Sequence, residues 1–127
     1  MYKKVIIIIV VVFLVVWLDI ITNKFTEETL EILSSDLNEL KESVLKKDKI
    51  ESEKQMKIVK QKWYDRYKLL AFYIEHDELE KVETELVKLQ ADIGVKEFKH
   101  CVSELETIIF ILEHIQEKEE MHFRSIF

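Results

Sequence analysis

Residues 5–18 read VIIIIVVVFLVVWL: Val5, Ile6, Ile7, Ile8, Ile9, Val10, Val11, Val12, Phe13, Leu14, Val15, Val16, Trp17 and Leu18 are apolar without a break. Asp19 follows, and then Ile20 and Ile21. Val5 to Ile21 would make roughly 25 Å of helix at about 1.5 Å per residue, the short end of the range that spans a bilayer. Asp19 would then stand close to the far interface, where its carboxylate reaches headgroups and water; at mid-bilayer the charge would be costly. Trp17 falls at the same level, as interfacial aromatics tend to. The stretch is expected to be an uncleaved, single-pass membrane anchor.

Three other readings fit these residues less well. A cleaved signal peptide should end in a small-residue cleavage site, and here the run is followed by Asp19, Ile20, Ile21, Thr22, Asn23, Lys24 and Phe25. A lipoprotein needs an early cysteine, and the single cysteine is Cys101. A buried core helix would need partners apolar enough to sheath it, and no later segment is. Lys3, Lys4 and the amino terminus precede the run, while Lys24 alone follows it closely. The positive-inside rule then places the N-terminus in the cytoplasm and the remainder outside, in the cell membrane's extracytoplasmic surroundings.

Beyond the anchor, composition narrows the fold. There is one glycine, Gly94, and no proline, so the chain has few means of making tight turns or glycine loops. Long helices joined by short polar connections are expected. A lone cysteine excludes an internal disulfide framework. A net charge of -6 argues against nucleic acid as a partner, because phosphate binding rests on cationic surface.

Apolar spacing places four helices after the anchor. The first runs from about Thr26, a candidate N-cap, to Lys47, with Leu30, Leu33, Leu37, Leu40 and Val44 alternating by three and four. It has only Thr22, Asn23 and Lys24 to separate it from the anchor, and could continue straight on from it. The second covers about Ile50 to Ile74, with Met56, Val59, Trp63, Leu70 and Ile74 on one face. The third begins near Asp77 as a cap, carries Leu79, Val82, Leu86, Leu89 and Ile93, and ends at Gly94 as a left-handed C-cap. The fourth spans about Val95 to Gln116 through Phe98, Val102, Leu105, Ile109, Leu112 and Ile115. Its run Ile108 to Leu112 is apolar all round, which predicts the most buried helix. The tail, Glu117 to Phe127, is left as a short fifth helix or a frayed end. The fold class is all-α: one transmembrane helix, then a four-helix antiparallel bundle or stacked helical hairpins. The domain division is 1–23 for the anchor and 24–127 for the helical part.

The anchor, the surroundings of Trp63, the segment His76-Asp77-Glu78-Leu79-Glu80, and the ending from His114 to Glu119 and on through Ser125, Ile126 and Phe127 resemble the domain of unknown function 4363 family, a group of small Firmicute proteins. The resemblance covers essentially the whole chain. It implies a bacterial, membrane-anchored helical protein and supplies no activity. Where members usually carry a proline this chain has Gln116, which leaves the break after the fourth helix less sharply marked.

The remaining motifs carry little chemistry. His76 with Glu80, and His100 with Glu104, have the i,i+4 spacing by which one helix face can share a metal; His114 precedes Glu117, and His122 lies in the tail. A zinc site needs three or four groups to converge, and among 25 acidic residues a Glu near any His is expected. No metal site or cofactor is assigned. Cys101 beside His100 cannot form a nucleophile–base pair, since neighbouring helical residues point about 100° apart; it is expected at the edge of an apolar face. The segment Lys46 to Lys68 holds nine basic residues against four acids, including Lys54, Lys57, Lys60, Lys62, Arg66 and Lys68, with Trp63, Tyr64 and Tyr67 interleaved. It suits either anionic headgroups and envelope polymers or, the favoured reading, pairing with acidic third and fourth helices that sets helix order.

The expectation is therefore a non-enzymatic interaction or scaffold module at the bacterial cell envelope. Its partners are the lipid bilayer and another membrane or envelope protein. The alternative is an extracytoplasmic ligand- or metal-binding sensor built around the histidines.

Overall fold

A run as rich in β-branched residues as 5–16 leans toward strand in water, but in an apolar surrounding a helix closes its own backbone hydrogen bonds. The computed structural model, which describes residues 1–126 and side chains through Ser125, takes the helical solution. Helix α1 runs unbroken over Tyr2–Leu45, about 66 Å at 1.5 Å per residue. Its first part is long and apolar enough to cross a membrane, and none of its most apolar stretch is buried against the rest of the chain. That removes the core-helix reading.

Three more helices follow: α2 (Lys49–Leu70), α3 (His76–Gly94) and α4 (Phe98–Ile126). No strand occurs among the described residues. Connections of three to five residues force antiparallel neighbours. Helix α1 packs on α2 and α4, and α3 packs on the same two, giving a four-helix antiparallel bundle. The α1–α2 and α3–α4 connections lie at the far end of the bundle. The α2–α3 turn and the end of α4 lie at the near end, where the apolar part of α1 joins it.

The core follows the three-four spacing. Leu33, Leu37, Leu40 and Val44 of α1 meet Met56, Val59, Trp63 and Leu70 of α2, the α3 stripe from Leu79 to Ile93, and Cys101, Leu105, Ile108, Leu112 and Ile115 of α4. Full burial of such side chains contributes about 1.5–3 kcal/mol each, and this apolar interior is what closes the bundle.

Several boundaries differ from the sequence expectation, each for a local reason. Thr26 is not an N-cap: it lies inside α1, where its hydroxyl donates to the Thr22 carbonyl at 2.9 Å. The division at 23/24 consequently falls within a continuous helix. Gly94 has no positive φ; the left-handed residues are Lys47 (φ 57) and Lys96 (φ 62). Each closes a Schellman motif. Asp48 N–H donates to Ser43 O and Lys47 N–H to Val44 O, and Glu97 N–H donates to Asp92 O and Lys96 N–H to Ile93 O. Asp48 then caps α2, its carboxylate accepting from Glu51 N–H at 3.1 Å. Asp77 is a first-turn residue of α3, and the cap position is Glu75. Ile74 stands in the turn after α2, its N–H donating to Leu70 O, yet its side chain is buried as the spacing predicts. Helix α4 passes Gln116 without a break and reaches Ile126, as a chain with no proline there permits; Phe127 lies outside the described residues. Finally, the 108–112 run is not buried all round. Phe110 is exposed, stacked on His114 with ring centroids 6.5 Å apart.

Candidate functional site: the near end of the bundle

The apolar seam of α1 stops at Leu30, and toward the apolar segment its positions become Thr29, Thr26 and Thr22. Small hydroxyls in a buried seam must find partners, and these do. Thr29 donates to Phe25 O at 2.7 Å and accepts from Arg66 Nη1 at 3.0 Å. The Arg66 guanidinium also lies 4.8 Å over the Phe25 ring and 3.4 Å from Glu28. From the α2–α3 turn, the Tyr73 hydroxyl shares a 2.7 Å hydrogen bond with Thr26 and reaches Thr22 O at 3.2 Å. Tyr73 therefore ties that turn to α1 one residue beyond Ile21. Burial raises its phenol pKa, and the Thr26 bond partly offsets this.

Between α3 and α4 the same end holds a charged layer. Buried Glu78 receives Lys118 at 3.3 Å and His114 at 3.8 Å, and Lys118 also reaches Glu75 at 3.3 Å. Both carboxylates hold the Lys118 ammonium protonated, raising its pKa. A groove of about 240 Å³ opens here, bounded by Tyr73, Glu78, Ile115, Lys118, Glu119 and His122 among others. Glu119 has a raised pKa, chiefly from burial; His122 opposes the shift, and Asp19 and Glu78 add to it. Asp19 itself is half-buried between exposed Leu18 and Ile20. One Asp19 carboxylate oxygen is buried there without a hydrogen-bond partner.

The residues singled out by sequence are scattered. His76 and Glu80 approach to 4.0 Å on an exposed face of α3 at the near end. His100 is exposed at the far end, and Glu104 turns to Asp92, with burial and that carboxyl raising its pKa to about 8. His114 turns to Glu78 on α3, and His122 lies by Glu119. No group of three or more metal-ligating side chains comes together among the described residues. Cys101 is fully buried, and burial pushes its thiol up to about 12. That leaves no thiolate at neutral pH, and Cys101 packs as a small apolar residue.

The basic segment is dispersed as well. Lys62 pairs with Asp36 at 2.6 Å and Arg66 with Glu28, both on α1, and Lys60 donates to Gln90 of α3. Of the two expected neighbours, α3 does pack beside α2, but the other neighbour is α1 and not α4, and the ion pairs of Lys62 and Arg66 go to α1. Lys54, Lys57 and Lys68 are exposed. Trp63 is core, tilted against Tyr67 at 6.1 Å, while Tyr64 is exposed. Sequence reasoning missed the Tyr73–Thr26–Thr22 link and the Glu78–Lys118 layer. The only available signal was the change from leucine to threonine along the α1 seam.

These features define a class: a small all-helical protein whose first helix is at once a candidate membrane span and a member of a four-helix bundle. More particularly, the chain belongs to the family described as domain of unknown function (DUF4363), whose model matches residues 20–126. The match begins where the apolar run ends and takes in the whole bundle. No curated protein and no solved structure matches it.

Proposed function

We propose that this chain is a non-enzymatic interaction or scaffold module of the cell envelope, anchored by residues 5–21 with its N-terminus in the cytoplasm and its bundle outside. The observation that carries this reading is the continuity of α1 over Tyr2–Leu45. A span that is also a bundle helix holds the bundle at a fixed height and direction, which a flexible tether would not do. The far end then points away from the bilayer. It carries exposed Leu45, Ile50 and Val95 beside Lys46, Lys47, Lys49 and Lys96, a mixture suited to contact with another membrane or envelope protein. The sensor reading draws less support, because His76 and His100 stand at opposite ends of the bundle.

Photo-crosslinkers placed at Ile50 and Val95 of the full-length protein in its native membrane test the proposal. A discrete protein adduct from these positions is expected. Lipid adducts alone, or none from any exposed bundle position, would overturn it. A C-terminal reporter active only outside the cytoplasm checks the orientation.

A further inference from the structure

The α2–α3 turn exposes an aromatic side chain at an unusual place. Phe72 is 86 % exposed, and Leu69, one turn earlier in chain order, is 54 % exposed. Phe72 is next in the chain to Tyr73, and Leu69 stands four residues before it; the Tyr73 hydroxyl is fixed to Thr22 and Thr26. Thr22 is four residues beyond Leu18, about 6 Å along the helix axis. The turn is therefore held level with the point where the apolar segment ends.

Helix α4 reaches the same level from the other side. Glu119 and His122 line one groove with Tyr73, and Val16 and Asp19 are only half-exposed within an otherwise exposed run. Met121, 71 % exposed, and Arg124 follow on that final stretch of α4. Lys68 stands beside Leu69 in the last turn of α2. Exposed apolar side chains with a basic residue within reach suit the headgroup–acyl boundary, where long cationic side chains extend to the headgroups.

We propose that the near end of the bundle is itself a lipid contact: Phe72 of the α2–α3 turn, Leu69 in the last turn of α2, and Met121 of α4 enter the leaflet from which α1 emerges. The bundle then rests on the bilayer at three points, and the direction of its far end is set by the membrane plane. The occupant is lipid because the Tyr73 bonds to Thr22 and Thr26 hold the turn and its apolar side chains level with the end of the apolar segment of α1. This inference rests on α1 spanning the bilayer.

The test uses the full-length protein in vesicles of phosphatidylethanolamine and phosphatidylglycerol, with spin labels introduced singly by F72C, M121C, V95C and V11C. Cys101 can stay in place, since its buried thiol does not label in the folded protein. Collision with oxygen is compared with collision with a water-soluble nickel chelate. Labels at 72 and 121 are expected to favour oxygen several-fold more than the label at 95, which sits at the far end, and to approach the label at 11. Nickel access at 72 equal to that at 95, with position 11 in lipid, would overturn the proposal alone. Nickel access at position 11 would overturn it together with the anchor. Protection of position 72 from both reagents would overturn it in favour of a protein neighbour, such as a second copy of this chain.

Discussion

The two halves of the α1 seam inside the bundle solve the same packing problem with opposite chemistry. Toward the far end, Leu33, Leu37, Leu40 and Val44 bury nothing but hydrocarbon. Toward the near end, Thr22, Thr26 and Thr29 meet Tyr73 and Arg66 through hydrogen bonds. An apolar seam gains from area and tolerates small shifts in register. A hydroxyl seam is satisfied only in one geometry, because a buried hydroxyl without a partner costs about 1–3 kcal/mol. The far half thus supplies cohesion, and the near half fixes how the bundle is seated on the apolar segment of α1.

The largest effect should come from breaking the far half. Leu37→Ala empties a fully buried site and is expected to cost about 3 kcal/mol, read as a lowered melting temperature of the full chain in detergent. Tyr73→Phe, in the near half, leaves Thr26 its bond to Thr22 O and should cost only about 1 kcal/mol. If Y73F proved as damaging as L37A, the near half would be holding the bundle together and the two halves would not divide cohesion from seating.

The same contrast explains which parts of the structure were legible in the sequence. Positions such as Leu37, Leu89 and Leu105 repeat at a helical period, and burial follows from period alone. The bundle and its core could be foreseen for that reason. Thr26 looked like a cap because threonine is a good cap wherever a helix begins. The helix had already begun twenty-four residues earlier, at Tyr2, the continuation that the short interval of Thr22, Asn23 and Lys24 allows. Gly94 likewise looked like the left-handed residue, whereas the chain places Lys96 there, two residues on. The Glu78–Lys118 and Arg66–Glu28 contacts join residues 40 and 38 positions apart. In a chain with 19 basic and 25 acidic residues, such pairs have too many equivalents to be chosen before helix order is known.

An effect of another kind, with a defined pH window, separates α3–α4 packing in the far half from the seam of α1. Burial first, then Asp92 and Glu85, with Lys88 opposing them, keep the proton on the Glu104 carboxyl to about 8. Unfolded, it would lose that proton in the ordinary carboxylate range, about 4.3. The folded state therefore binds more protons between those values. Its stability is fully present below the unfolded pKa and is lost as pH rises through about 8. Glu104→Gln should remove much of this slope and raise the melting temperature at pH 8.5, with little change at pH 4. A slope unchanged in E104Q would assign the pH dependence to other groups, Glu119 at the near end first among them.

The smallest effect concerns the two connections at the far end. Lys47 and Lys96 hold left-handed φ values of 57 and 62, a conformation that costs a residue with a Cβ about 1 kcal/mol relative to glycine. Each keeps its Schellman bonds through the backbone alone, so glycine can replace it without losing them. Lys47→Gly and Lys96→Gly should each stabilise the full chain by at most about 1 kcal/mol, partly offset by the greater freedom of glycine in the unfolded chain. They also remove charge from the end proposed to meet a partner protein. A variant with a higher melting temperature and weaker crosslinking from Val95 would show that these lysines are kept for contact, at a cost to the fold. If crosslinking is undiminished while stability rises, the basic character of the far end contributes nothing to the contact, and exposed Leu45, Ile50 and Val95 remain to account for it.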